Sequence, residues 1–315
     1  MAKYLVTGAA GFIGSSLVRA LLHRGEQVRG IDNFATGKRE NLSEVLSQID
    51  FREVDILDLE ATRTACAGVD YVLHQAAIPS VPKSVLDPLG SNRANVDGTV
   101  NVLVAARDAK VKRVVYAASS SAYGDTPTLP KYEAMTPSPI SPYAVAKLAS
   151  EHYMTSFYRC YGLETVSLRY FNIFGPRQDP SSPYSGVLAK FIALMLRGEQ
   201  PTIYGDGEQS RDFTYIDNAV SANLLACSAP ASECAGRMFN CATGRRVTLN
   251  ETFELLKPLT GYSGIVEYGP ERGGDIKHSL ADITLAQKHL GYKTLVDFEE
   301  GLRRTVEWYR SQSRG

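Results

Sequence analysis

VTGAAGFIG, residues 6–14, is the stretch that decides how this chain is read. An apolar run, KYLVTG, enters it, and a helical pattern, IGSSLVRALLHRG, leaves it and ends at Gly25. Gly8, Gly11 and Gly14 therefore fall where a first strand turns into a first helix. The first glycine suits a tight turn, and the second lets backbone N–H groups approach a pyrophosphate that sits on the helix N-terminus. The spacing is G-x-x-G-x-x-G rather than G-x-G-x-x-G, and a glycine triplet by itself is also an ordinary loop. Context supplies the rest. Asp32 ends the second strand, QVRGID, where a carboxylate accepts from ribose hydroxyls and repels a 2′-phosphate. NAD is expected rather than NADP, with Lys38 and Arg39 nearby as the features that argue the other way.

Outward from this turn, β-rich runs alternate with amphipathic ones: IDFREVD, DYVLHQAA and VKRVVYAASS are strands, and NVDGTVNVLVAARDAKV is a helix between them. Apolar strands separated by helices imply βαβ crossovers and a parallel sheet covered on both faces. The expected fold is α/β, a doubly wound parallel sheet (Rossmann) with a smaller, interleaved α/β substrate domain. Residues 1–171 form the first part, to which later segments can return, and 172–315 mainly the second. After ETVSLRYFNIFGP the texture changes, with Pro- and Gly-rich stretches such as GPRQDPSSPYSG and EYGPERGGDIKHS.

Composition narrows the function. The 315 residues carry 34 basic and 34 acidic side chains, so no global field points to nucleic acid or a membrane surface. Five scattered cysteines without C-x-x-C spacing suit a reducing compartment, and five isolated histidines argue against a metal site. With no signal pattern and no long apolar run, a cytoplasmic protein is expected.

Tyr143 and Lys147, in SPYAVAK, share a face if that segment is helical, one turn apart. A free tyrosine titrates near 10, and lowering it to ~7 needs about 4 kcal/mol of preference for the phenolate. One cation at ~5 Å supplies roughly 3 kcal/mol at an effective dielectric of about 20. Lys147 with the positive nicotinamide of NAD is therefore expected to turn Tyr143 into a general base.

The glycine turn, DNFATG, HQAA, SSSAYGD, SPYAVAK, LRYFNIFGPRQ, GDGEQSRDFTYIDN and RGGDIKHSLADI together resemble the extended short-chain dehydrogenase/reductase family. Within it the chain is most similar to the nucleotide-sugar 4-epimerase group, above all to bacterial UDP-N-acetylglucosamine 4-epimerases. The resemblance spans essentially the whole chain. It implies a catalytic set of Ser119, Tyr143 and Lys147, with Ser119 placed by the Tyr123-Gly124 pair that follows it. It places NAD on Gly8, Gly11, Phe12, Ile13, Gly14, Asp32, Asn33, Thr36, Gly37, Asp55, Ile56, Gln75, Ala76, Ala77 and Tyr170, besides Tyr143 and Lys147. It places a UDP-sugar on Ser80, Ser119, Ser120, Ser121, Tyr143, Asn172, Val187, Thr202, Tyr204, Arg211, Arg272, Asp275 and Ser279.

Related dehydratases carry Asp-Glu where this chain has Ser120 and Ser121, and related decarboxylases carry a glutamate at the second position. Two serines cannot expel water at neutral pH, so hydride removal and return at C4 is the expected reaction. Ser279 stands where a bulky tyrosine would exclude an N-acetyl group, which favours UDP-GlcNAc and UDP-GalNAc with UDP-Glc and UDP-Gal also accepted. UDP-glucuronate 4-epimerisation is the first alternative, with Asp179 in GPRQD expected to repel that carboxylate, and a nucleotide-sugar dehydratase or decarboxylase is the second. Pro79, where N-acetyl-specific relatives carry glycine, bears on the degree of preference. The resemblance further implies a homodimer through helices near 92–108 and 143–160.

Overall fold

The computed structural model describes residues 1–180, 186–271 and 277–312. Seven strands make one parallel sheet: β1 (Lys3–Thr7), β2 (Gln27–Asp32), β3 (Asp50–Glu53), β4 (Tyr71–His74), β5 (Arg113–Ser119), β6 (Glu164–Tyr170) and β7 (Arg237–Cys241). They lie side by side as β7-β6-β5-β4-β1-β2-β3. The middle strands are apolar on both faces: Leu5, Val6, Val72, Leu73, Val114 and Val115 are fully buried. That is why these segments read as continuous hydrophobic runs rather than as alternations.

Helices α1 (Phe12–His23), α2 (Leu59–Cys66), α3 (Gly98–Asp108) and α4 (Pro142–Tyr161) fall in four of the five connections between the first six strands, and two short 3-10 turns fill the β2–β3 connection. Four longer ones follow among the described residues: α5 (Val187–Leu196), α6 (Ile216–Ser228), α7 (Leu249–Thr260) and α8 (Phe298–Gln312). α1 packs with α6 in one core, built on Leu17, Val18, Leu21, Ala219 and Ala222. α2, α3 and α4 supply the other, through Ala65, Val102, Leu103, Met154 and Phe157. The sheet is thus doubly wound, as the sequence implies. The chain runs outward from β1 to β3, then returns to β4 on β1's other side, so a crevice opens beyond the strand ends at Gly8 and Gln75.

The seventh strand comes from far along the chain, with Arg237–Cys241 pairing parallel to Val166–Tyr170. The remaining strands are short ladders: Ile173–Phe174 with Thr214–Tyr215, Thr202–Tyr204 with Glu267–Gly269, and Ser210–Arg211 with Val247–Thr248. Among the described residues no helix is long and apolar enough to cross a membrane.

Candidate active site

The glycine turn is built so tightly that side chains are excluded. Gly8 takes φ +66°, and a Cβ there would lie 2.8 Å from the Ala76 backbone nitrogen. At Gly14 a Cβ would fall 2.0 Å from the Gly8 carbonyl oxygen. Gly11 is the N-cap of α1, no side chain caps that end, and its first turn holds no acidic residue. Uncapped N–H groups at the positive end of the dipole favour an anion. At the tip of β2, the Asp32 carboxylate accepts from the Ala10 N–H at 2.9 Å and the Phe34 N–H at 2.7 Å. These bonds fix the carboxylate at the cleft wall. A Cβ on Gly37 would come within 2.9 Å of both its oxygens, so Gly37 leaves the carboxylate its room. Lys38 pairs with Asp179 at 2.8 Å, and Arg39 pairs with Glu53 at 2.6 Å while lying over the Phe34 ring. Both cations stand beside carboxylates, which leaves a 2′-phosphate poorly served. The residues present fit NAD: a turn whose backbone packs too closely for a Cβ at Gly8 or Gly14, an uncapped helix end, and a fixed carboxylate for the ribose.

Tyr143 and Lys147 lie on the first turns of α4, opened by Ser141, whose hydroxyl accepts from the Ala144 N–H, and by Pro142. The Tyr143 N–H donates to Ser84 Oγ at 3.0 Å. Lys147 is buried; its ammonium donates to the Ala117 carbonyl at 2.8 Å and lies 4.8 Å from the centre of the Tyr116 ring. Ser119 ends β5, and its oxygen accepts from the Ser121 hydroxyl at 2.8 Å and from the Ser121 N–H at 3.2 Å. Its own proton is therefore left to donate into the cleft. Ser121 is more than a missing acid: it orients Ser119.

The expected depression of Tyr143 is not found in the protein alone. Burial raises the phenol, with the nearby Ser119 hydroxyl pulling the other way, and burial lowers Lys147 to about 7. Desolvation outweighs any mutual help, so a bound positive charge is needed before the pair favours phenolate over phenol. Lys147 also costs stability. Its folded value lies below the unfolded 10.5, so the cost is absent above that pH, grows as pH falls, and is complete below about 7. Lys147→Met is expected to remove it, stabilising the chain by a few kcal/mol at pH 7 while ending activity. Urea unfolding at pH 7 and 10 checks this: the parent gains stability relative to the variant as pH rises, and identical pH profiles count against it.

One cleft of about 1550 Å³ gathers most of the sequence-derived set. Gly8, Gly11, Phe12, Ile13, Gly14, Asp32, Asn33, Thr36, Asp55, Ile56, Gln75, Ala76, Ala77 and Tyr170 line it together with Ser80, Ser119, Ser120, Ser121, Tyr143, Lys147, Asn172, Arg211 and Ser279. Gly37, Val187, Thr202 and Tyr204 do not. Val187 opens α5 just after the cleft residue Gly186. Thr202 donates to Glu267 at 3.0 Å, and Tyr204 lies partly exposed on the same short strand. Arg272 and Asp275 lie outside the described residues. Asn172, at φ +38°, donates to the Asp212 carbonyl at 3.1 Å and reaches Ser279 Oγ at 3.4 Å. Lys83, Arg93, Ile140 and Gln178 also line the cleft without having been singled out. Gln178 closes the LRYFNIFGPRQ stretch quoted above, whereas Lys83, Arg93 and Ile140 lie outside every motif quoted.

A family model described as "NAD dependent epimerase/dehydratase family" matches residues 4–242. The chain is 38% identical over 315 residues to UDP-glucose 4-epimerase of Mycolicibacterium smegmatis, covering 99% of each. A crystal structure of UDP-glucose 4-epimerase from Thermotoga maritima with UDP-glucose shares 41% identity at a TM-score of 0.94, over 99% of both chains. A UDP-N-acetylglucosamine 4-epimerase from Methanobrevibacter ruminantium, in complex with UDP-N-acetylmuramic acid, shares 42% at the same TM-score and coverage.

Proposed function

This chain belongs to the NAD dependent epimerase/dehydratase family, and from that premise we propose that it inverts C4 of a UDP-hexose through a transient 4-keto sugar, with UDP-GlcNAc and UDP-GalNAc preferred. The observation that carries the reaction is the meeting of Ser119, Tyr143 and Lys147 in one cleft, with serines and no carboxylate at 120 and 121. NAD held in this cleft would supply a hydride acceptor for C4 in its oxidised form and a hydride donor in its reduced form. Tyr143 takes the proton of the C4 hydroxyl and later gives one back. Ser119, oriented by Ser121, donates to the reacting oxygen. Lys147 provides the charge that balances the phenolate. With serines at 120 and 121 in place of an acid for a leaving hydroxyl, the keto sugar would keep all its oxygens, and presenting its other face for reduction would complete the inversion.

The sugar preference rests on Ser279, a small residue on the cleft wall beside Asn172. A second reading, UDP-glucuronate, gains from the pairing of Asp179 with Lys38, which blunts the repulsion expected of that carboxylate. Lys83 and Arg93 add positive charge to the lining. Purified protein incubated with UDP-GlcNAc, UDP-Glc and UDP-GlcA, with C4 configuration read by NMR, tests all three. The expected order of kcat/KM is GlcNAc, then Glc, then GlcA, and no inversion of any of them would sink the proposal. Ser279→Tyr is expected to lower kcat/KM for UDP-GlcNAc by at least about tenfold while sparing UDP-Glc, the scale on which pocket bulk discriminates. We also read the chain as a homodimer through α3 and α4, supported by the exposed Val145 and Tyr153 on α4. A cytoplasmic setting suits its five free cysteines.

A further inference from the structure

Behind the cleft wall three polar side chains close a ring. Asn223 Nδ2 donates to Tyr170 Oη at 2.7 Å, Tyr170 Oη donates to Gln75 Oε1 at 3.1 Å, and Gln75 Nε2 donates to Asn223 Oδ1 at 3.2 Å. Gln75 and Tyr170 line the cleft, whereas Asn223 is fully buried and does not. Gln75 leaves the end of β4 and Tyr170 the end of β6, where it stands in register opposite Ser119 on β5. The ring therefore braces the strand ends on either side of the one that carries Ser119. Its third corner comes from α6, where the buried neighbours of Asn223 include Ala219, Ala222 and Ala226.

The direction of the ring is not free. Asn223 Nδ2 also donates to the Ala219 backbone carbonyl at 2.8 Å, and a carbonyl can only accept. Nδ2 is thereby held on that side, so Oδ1 must face Gln75. Gln75 must answer with Nε2, which turns its Oε1 to Tyr170, and Tyr170 must donate. One backbone carbonyl thus sets the polarity of every bond. Rings with all donors pointing one way reinforce each member, and a buried ring left half-satisfied is worse than none.

We infer that Asn223 is a positioning residue for the cofactor: it fixes Gln75 and Tyr170 in one orientation, with one Gln75 N–H and one Oε1 lone pair unspent and available to a ligand. This rests on the NAD-dependent reading above. Asn223→Asp keeps the size but sets an acceptor against the Ala219 carbonyl, Asn223→Leu removes the polarity altogether, and Gln75→Leu and Tyr170→Phe break the ring from the cleft side.

NAD affinity is measured by calorimetry on protein stripped of nucleotide, and kcat and KM for the UDP-sugar are measured with each variant. Asn223→Asp is expected to weaken NAD at least tenfold and lower kcat, with KM for the UDP-sugar close to the parent's. Asn223→Leu combined with Tyr170→Phe is expected to lose no more NAD affinity than the worse single variant, because either one opens the same ring. If the Asn223 variants fail to fold, Gln75→Leu and Tyr170→Phe, alone and combined, carry the same non-additivity test. Parent-like NAD affinity in the folded variants, or fully additive losses, overturns the role of Asn223. A parent chain that binds no NAD overturns the cofactor reading itself, and this inference with it.

Discussion

Tyr143→Phe is expected to keep NAD bound and to lose about 10³-fold in turnover. General acid–base groups contribute roughly 10²- to 10⁴-fold, and a thousandfold loss corresponds to about 4 kcal/mol of barrier. The substitution removes one oxygen and leaves the scaffold alone. The bond from this residue to Ser84 comes from the backbone N–H, and the helix start is held by Ser141 and Pro142. Neither depends on the phenol. Phenylalanine cannot accept the C4 proton, and Ser119 cannot replace it, since a hydroxyl is a far weaker base at neutral pH. Turnover is read by C4 configuration and bound NAD by absorbance of a denatured extract. Turnover within about tenfold of the parent, with NAD retained, would take Tyr143 out of its role.

Gly14→Ala should act earlier, on the cofactor. The added Cβ would meet Gly8 O at 2.0 Å, Gly8 C at 2.8 Å and the Ala9 Cα at 3.0 Å, all of them main-chain atoms with no side chain to swing away. Either α1 or the turn must shift, and both belong to the cradle for the pyrophosphate. NAD affinity is expected to fall at least about a hundredfold, since charge-assisted bonds to backbone N–H groups depend steeply on geometry. Gly25→Ala is the control. Gly25 sits at φ +74° with nothing within 4 Å of a Cβ, so alanine there strains the backbone by about 1 kcal/mol without touching the cleft. Loss of thermal stability in both variants, with loss of NAD in Gly14→Ala alone, is the expected pattern. Equal NAD affinity in the two would show that the tight contact is not what shapes the site.

What could be read along the chain was whatever local spacing controls. The glycine turn, the two-sided apolar strands and the Tyr143–Lys147 step are properties of neighbouring residues, and each lies where its spacing places it. What could not be read depends on partners distant in sequence. Asn223 looks like a polar residue in an ordinary helix until β4 and β6 bring Gln75 and Tyr170 to it. Asp179 reads as a repelling charge in GPRQD until the β2 loop delivers Lys38. The desolvation of Tyr143 is hidden for another reason: sequence spacing gives the neighbouring charge but not the burial, which raises the phenol while no cofactor is bound.

The late arrival of β7 has a consequence for how this chain is made. Residues 1–171 contain six of the seven sheet strands, yet they end with the backbone of β6 unpaired along one side until Arg237–Cys241 is added. An open parallel edge is a template for wrong partners, so a fragment that stops at residue 171 would carry the edge of β6 uncovered. The two halves are therefore not modules that can be cut apart and exchanged at residue 171: a recombinant fragment, or a graft of a new second half, must bring its own seventh strand.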